Sequence, residues 1–216
     1  MEKIPTAVLN QAMSYPAYRD KINQLRAAGK TTGDNHSEAM LRYTDLNISR
    51  MNRLDKTTRL TEETQKQLEG LSAPLTWLVL TEAWCGDAAQ IIPVLQRMAD
   101  ASGQVELKLI LRDEHPGIMD AFLTNGGRSI PKVIFLDSAT RRVLGSWGPR
   151  PAEVQQMVID TREALKGMNN PEEKKARYQE LVVKTQKWYA KDKTQRIQRE
   201  LLQALNHHLE EAAVFK

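Results

Sequence analysis

The chain has 216 residues and a formal charge of +4, with 41% of residues apolar and 27% charged, so one compact domain with additions or two small domains can form around a real core. The apolar runs, such as residues 133–136, are far too short to span a bilayer. A single cysteine excludes an internal disulfide framework, and so modest a charge does not by itself imply nucleic acid.

Residues 7–30 read as one helix running through Pro16 and closed by Thr31, Thr32 and Gly33. Ser37 is a candidate N-cap for a second helix to about residue 56, with Met40, Tyr43 and Leu46 on a partly apolar face. Thr61 can cap a third, its Glu62 and Glu63 suited to the positive end of the helix dipole. Residues 1–70 therefore form a helical N-terminal extension. From 71 to 168 strand and helix alternate. Trp77, Leu78, Val79 and Leu80 form the continuous apolar run of a strand buried on both faces. A helix follows over 87–102, a strand over 105–111, and a helix from Pro116 to about Gly126. Strands at 132–137 and 143–147 flank a turn, and Pro151 opens a helix to about residue 166. That order predicts an α/β unit, a mixed central sheet with helices on both faces. In 169–216, Asn170, Pro171, Glu172 and Glu173 make a strong helix start. Tyr178, Leu181, Val182, Thr185, Trp188 and Tyr189 recur at helical spacing, and Leu201, Leu202, Leu205 and Leu209 continue it. One long or two consecutive amphipathic helices are expected, packing on the core as a C-terminal extension.

Residues 81–93, Thr-Glu-Ala-Trp-Cys-Gly-Asp-Ala-Ala-Gln-Ile-Ile-Pro, follow a strand and open a helix. Downstream come Asp113-Glu-His-Pro116 at a strand-to-helix joint, Arg128-Ser-Ile-Pro131 before an apolar strand, and Gly148. Together these resemble the thioredoxins over roughly 71–168. The resemblance implies a thioredoxin-like fold with Cys85 as the attacking thiol, Trp84 and Gly86 beside it, and Pro93 kinking the helix. It also implies a cis Pro131 facing Cys85, with Ile130 and Pro131 as the edge on which a substrate's extended segment docks. The fuller Trp-Cys-Gly-Asp-Ala form, with long helices on both sides, is similar to a group of bacterial thioredoxin-like proteins and brings no substrate with it.

The departures matter as much. Ala88 stands where a thioredoxin has its resolving cysteine, Asp87 replaces the intervening proline, and Val79 occupies the position of the buried acid. Dithiol chemistry within this chain is impossible; Cys85 can act only as a monothiol. A helix N-terminus lowers a thiol's pKa and Asp87 raises it, while Arg128 or Arg112 is placed to compensate, so the net sign is open. Asp87 itself is either a plain helix-start acid or a proton-handling group. The segment Trp147-Gly-Pro-Arg-Pro151 is either a turn or a means of facing an anionic ligand with Arg150.

The histidines, His36, His115, His207 and His208, lack ligand spacing, and adjacent positions such as 207 and 208 point to different faces of a helix. No metal and no cofactor is expected. The basic surplus between residues 184 and 199 reads as a solvated helix face, so neither nucleic acid nor a membrane is an expected partner. Residues 1–15 lack a basic start followed by an apolar run, and with the lone thiol this points to the cytoplasm. Two functions remain in view. One is a monothiol thiol–disulfide oxidoreductase acting on protein or low-molecular-weight mixed disulfides, with an external glutathione-like thiol to resolve them. The other is a redox-inactive binding module that engages a protein partner. An exposed, low-pKa Cys85 would favour the first, and a Cys85 buried under the N-terminal helices the second.

Overall fold

Seven consecutive residues of β1, Leu75–Thr81, are buried, as their apolar composition demands. The computed structural model describes residues 1–214. Before β1 come α1 (Thr6–Gln11), α2 (Tyr15–Ala27), α3 (Glu38–Thr57) and α4 (Glu62–Glu69). After it come α5 (Gly86–Ser102), β2 (Val105–Leu111), α6 (Pro116–Asp120), β3 (Lys132–Asp137), β4 (Val143–Trp147), α7 (Ala152–Lys166), α8 (Pro171–Asp192) and α9 (Gln195–Val214). The four strands lie in the order β2-β1-β3-β4. β2 runs parallel to β1, while β3 is antiparallel to both β1 and β4. This is the mixed α/β sheet and helical surround expected from the sequence.

The parallel β1–β2 pair needs a crossover, and α5 supplies it. The apolar side chains of α5 from Ile91 to Met98 are buried, and Gly103 ends the helix in a left-handed conformation with φ 65°. α9 lies against β4 and α5, and α8 against α7. Buried Ile197, Leu201, Leu202 and Leu205 of α9 join the same hydrophobic cluster as Trp77 and Phe135.

Two elements differ from the sequence expectation, and a third point left open by the sequence is decided. The helix expected over 7–30 is two helices. Ser14 caps α2, with Pro16 in its first turn, and Met13 instead pairs with Leu109 of β2. A matching bridge joins Lys3 to Arg142, with Val143 N–H donating to Glu2 O. α6 stops at Asp120 because residues 124–127 reverse the chain, Asn125 and Gly126 taking positive φ. The C-terminal stretch is two helices, divided where Lys193 and Thr194 adopt φ of 50° and 69°.

Because α9 shares the core, Leu205→Ala should cost about 2–5 kcal/mol and lower the midpoint of a single urea transition followed by circular dichroism. A separate early transition for the C-terminal helices would show that they are a detachable arm.

Candidate active site

Cys85 is the N-cap of α5 and is 9% exposed. Its position is set by the backbone around it. The N–H of Ala83 donates to Thr32 Oγ1 and its carbonyl accepts from Asn47 Nδ2, both at 2.8 Å, so the loop after α2 and helix α3 hold the strand end from which the thiol emerges. Glu82 is fully buried. One of its oxygens accepts from the Asp113 N–H at 3.0 Å, the other has no partner among the described residues, and burial pushes its carboxyl up.

Ile130–Pro131 is a cis peptide, and the Cys85 thiol donates to the Ile130 carbonyl at 3.3 Å. The approach is close on the far side as well. A Cβ at Gly148, where φ is +115°, would fall 2.5 Å from the Pro131 carbonyl oxygen, so only glycine fits. Lys132 reaches from the same loop to Thr124 Oγ1 and the Gly148 carbonyl, and burial pulls its ammonium down to about 8. Trp84 lies under Arg112, whose guanidinium carbon is 4.9 Å from the ring centre.

The charges resolve differently from the sequence expectation. Asp87 is paired not with Arg128 or Arg112 but with Arg150, whose Nε and Nη2 both lie 2.7 Å from Oδ2. The Tyr189 hydroxyl donates to Oδ1 at 2.8 Å, bringing α8 onto the site. Arg128 grips Asp120 through two bonds of 2.6 and 2.7 Å, and Arg112 pairs with Asp113 at 2.8 Å. The thiol pKa is pushed up to about 12, first by burial and then by Asp87; the Ala88 N–H at 3.5 Å and Arg150 oppose this without prevailing. The helix N-terminus does not make Cys85 a thiolate here, because desolvation outweighs one long hydrogen bond.

Above the thiol opens a cleft of about 580 Å³. Its walls come from α3, α7, α8 and the loop before Pro131. Trp84, Gly86, Asp87, Arg128, Ile130 and Arg150 all line it; Pro131 and Ala88 do not. Arg50, Arg162 and Gln186 also line it, and no motif flagged them, since they come from helices outside the Trp-Cys-Gly segment. A smaller hollow of about 220 Å³, bordered by Arg59 and Arg97, holds no thiol. Far from the cleft, the rings of His207 and His208 lie 5.4 Å apart and both reach Glu211, so the expectation that they face apart fails. Their ligand atoms and that of Glu211 lie within 4.8 Å of one another, the one such group of metal-binding type among the described residues.

A family model described as thioredoxin matches residues 33–166. Among solved structures, the chain is similar to a Pseudomonas aeruginosa protein of unknown function, at 17% identity and a TM-score of 0.54 over 90% of this chain and 98% of that one. It is also similar to an HIV epitope scaffold, at 15% identity and a TM-score of 0.52 over 90% and 99% of the two chains. At such identities the likeness concerns the fold. No curated protein matches the sequence. Among the described residues no helix is long and apolar enough to cross a membrane.

Two outcomes follow. Asp87→Asn removes the charge that raises the thiol, so the ionisation midpoint of Cys85, read from thiolate absorbance, should fall. The same change leaves Arg150, only 12% exposed, without its counter-ion, and should cost roughly 1–3 kcal/mol in urea unfolding. The second outcome concerns alkaline pH. The Cys85 thiol ionises near 9 when unfolded and about 12 when folded, so its contribution to stability is full below pH 9 and is lost as pH climbs toward 12. Buried Tyr15, Tyr18 and Tyr189 are raised in the same sense but ionise from a higher starting value of 10.0. Lys132, pulled down to about 8, gains stability over the same interval and offsets the thiol, so the thiol's share is read as a difference: from pH 9 to 10, Cys85→Ala should lose less stability than wild type, by up to about 1.4 kcal/mol.

Proposed function

The chain belongs to the thioredoxin family, and from that premise we propose that it is a binding module of the family whose thiol is not a working nucleophile. The carrying observation is the state of Cys85: 9% exposed, bonded to the Ile130 carbonyl, beside a carboxylate, and without a partner cysteine. Thiol exchange needs the thiolate. A pKa of about 12 lowers the thiolate fraction at pH 7 by roughly 10³–10⁴ relative to an ordinary thiol. The greater nucleophilicity of a more basic sulfur recovers only about 10–10² of this. Cys85 is then on the order of a hundredfold slower than an exposed cysteine before steric shielding is counted. What is left on the surface is the cleft, with the helical extensions as its walls.

A second reading keeps the chemistry. The Sγ still opens on the cleft and lies against the carbonyl preceding the cis Pro131. As a monothiol oxidoreductase, Cys85 would attack a protein or low-molecular-weight disulfide, form a mixed disulfide and release one thiolate. An external glutathione-like thiol would then displace Cys85, since Ala88 cannot. Kinship with the bacterial proteins that share the Trp-Cys-Gly-Asp-Ala segment belongs to both readings, as does a cytoplasmic setting, where an unpaired thiol stays reduced.

Iodoacetamide alkylation of the native protein across pH decides between them. The binding-module reading expects Cys85 to react about a hundredfold more slowly at pH 8 than in urea, with the rate still rising at pH 10. A midpoint below pH 9 would make the oxidoreductase reading the correct one.

A further inference from the structure

Resting on the binding-module reading, we propose that the cleft over Cys85 docks an acidic segment of a partner protein, its carboxylates meeting Arg50 and Arg162 and an aliphatic side chain meeting the wall formed by α7 and α8. The charge of the cleft is one-sided. Five arginines, at positions 50, 112, 128, 150 and 162, line it against the single carboxylate of Asp87. Asp87 is already held by Arg150 and Tyr189, and Arg112 and Arg128 are engaged with Asp113 and Asp120. Among the described residues neither Arg50 nor Arg162 has a carboxylate at ion-pair distance. Arg50 is half-buried, donates to the Asn47 side chain, and is held below the usual arginine range by burial and by Arg53, against a weaker opposing pull from Asp87, which lies beyond ion-pair distance. One of its terminal nitrogens lies 3.5 Å from where a side chain on Gly86 would begin, so the unpaired guanidinium stands beside the approach to Cys85. A half-desolvated cation without a counter-ion is relieved by a carboxylate, which its planar fork can bind with two parallel hydrogen bonds.

The shape of the site indicates what kind of anion. The arginines come from five places in the chain: α3, the residue after β2, the loop before β3, the turn before α7, and α7 itself. The cleft also has an apolar lining, Val158 and Leu165 from α7 with Leu181 and Val182 from α8. Tyr43 and Tyr178, 40% and 56% exposed, stand at the rim. A compact anion would leave the apolar wall unused. An extended acidic chain carrying one aliphatic side chain uses both the wall and the charge, and electrostatic complementarity of this kind sets partner choice and association rate.

The buried thiol serves as a reporter. Cys85 of the native protein is labelled with the anionic sulfonatoethyl and the cationic trimethylammonioethyl methanethiosulfonates, and each rate is divided by the rate on the urea-unfolded chain. At low salt the anionic reagent should be favoured about tenfold or more. The preference should shrink with added salt, in Arg50→Gln, and in Arg162→Gln, whose exposed position removes any concern over folding. Peptide protection then identifies the ligand class. Millimolar acetyl-Glu-Glu-Leu-Glu-Glu-amide should slow labelling by the neutral methyl reagent several-fold, while the Lys-Lys-Leu-Lys-Lys counterpart and citrate should not. A reagent ratio near one, equal protection by the lysine peptide, protection by citrate as strong as by the acidic peptide, or no protection by any of them would each overturn the proposal. The absolute labelling rate tests the binding-module reading separately, because charge preference is a ratio and survives even if Cys85 proves fast.

Discussion

A carboxylate placed two residues from a buried sulfur has to be held in check, and the structure is arranged around doing so. Both oxygens of Asp87 are occupied, one by Arg150 from the turn before α7 and the other by Tyr189 from α8. These contacts bring segments 63 and 102 residues away onto the start of α5. Burial, more than the charge of Asp87 itself, keeps the thiol protonated.

The N-terminal side makes a corresponding contribution. Thr32 and Asn47 take both backbone groups of Ala83, which would otherwise be orphaned at the buried end of β1. In a dithiol enzyme of this fold the loop carrying the thiol has to meet a partner and let it go. Here it is pinned by α3 on one side and roofed by α8 on the other, with Gln90 of α5 donating to Gln186 of α8 at 2.8 Å. Recognition through the cleft walls suits such a rigid floor better than a cycle of covalent attack and release.

Much of the fold was legible from local signals. The apolar run from Trp77 to Leu80, the Asn170-Pro171 start and the Trp-Cys-Gly joint each announce an element whose bounds the structure reproduces closely. The misplaced break at Pro16 has a local cause: proline is equally at home in the first turn of a new helix, and Ser14 supplies the cap. The electrostatics of the site were not legible. Arg128 is near Pro131 in sequence, yet it finds Asp120 at the end of α6, while Arg150 arrives from beyond β4. No pattern in the chain marks Tyr189 as a partner for Asp87, since its helical spacing speaks only of an apolar face. For His207 and His208, a 100° step separates the Cβ positions, but the long rings swing back toward Glu211.

The first thirteen residues have a consequence beyond their own packing. At residues 2–4 they pair with the outer side of β4, and at Met13 with the outer side of β2. Each end of the four-stranded sheet therefore has part of its open hydrogen-bonding row taken by the same short segment. Such rows invite a second copy of the chain to add its own strand, the first step toward aggregation. The segment interrupts both rows, so a strand added at either margin would have to displace it or pair only in part.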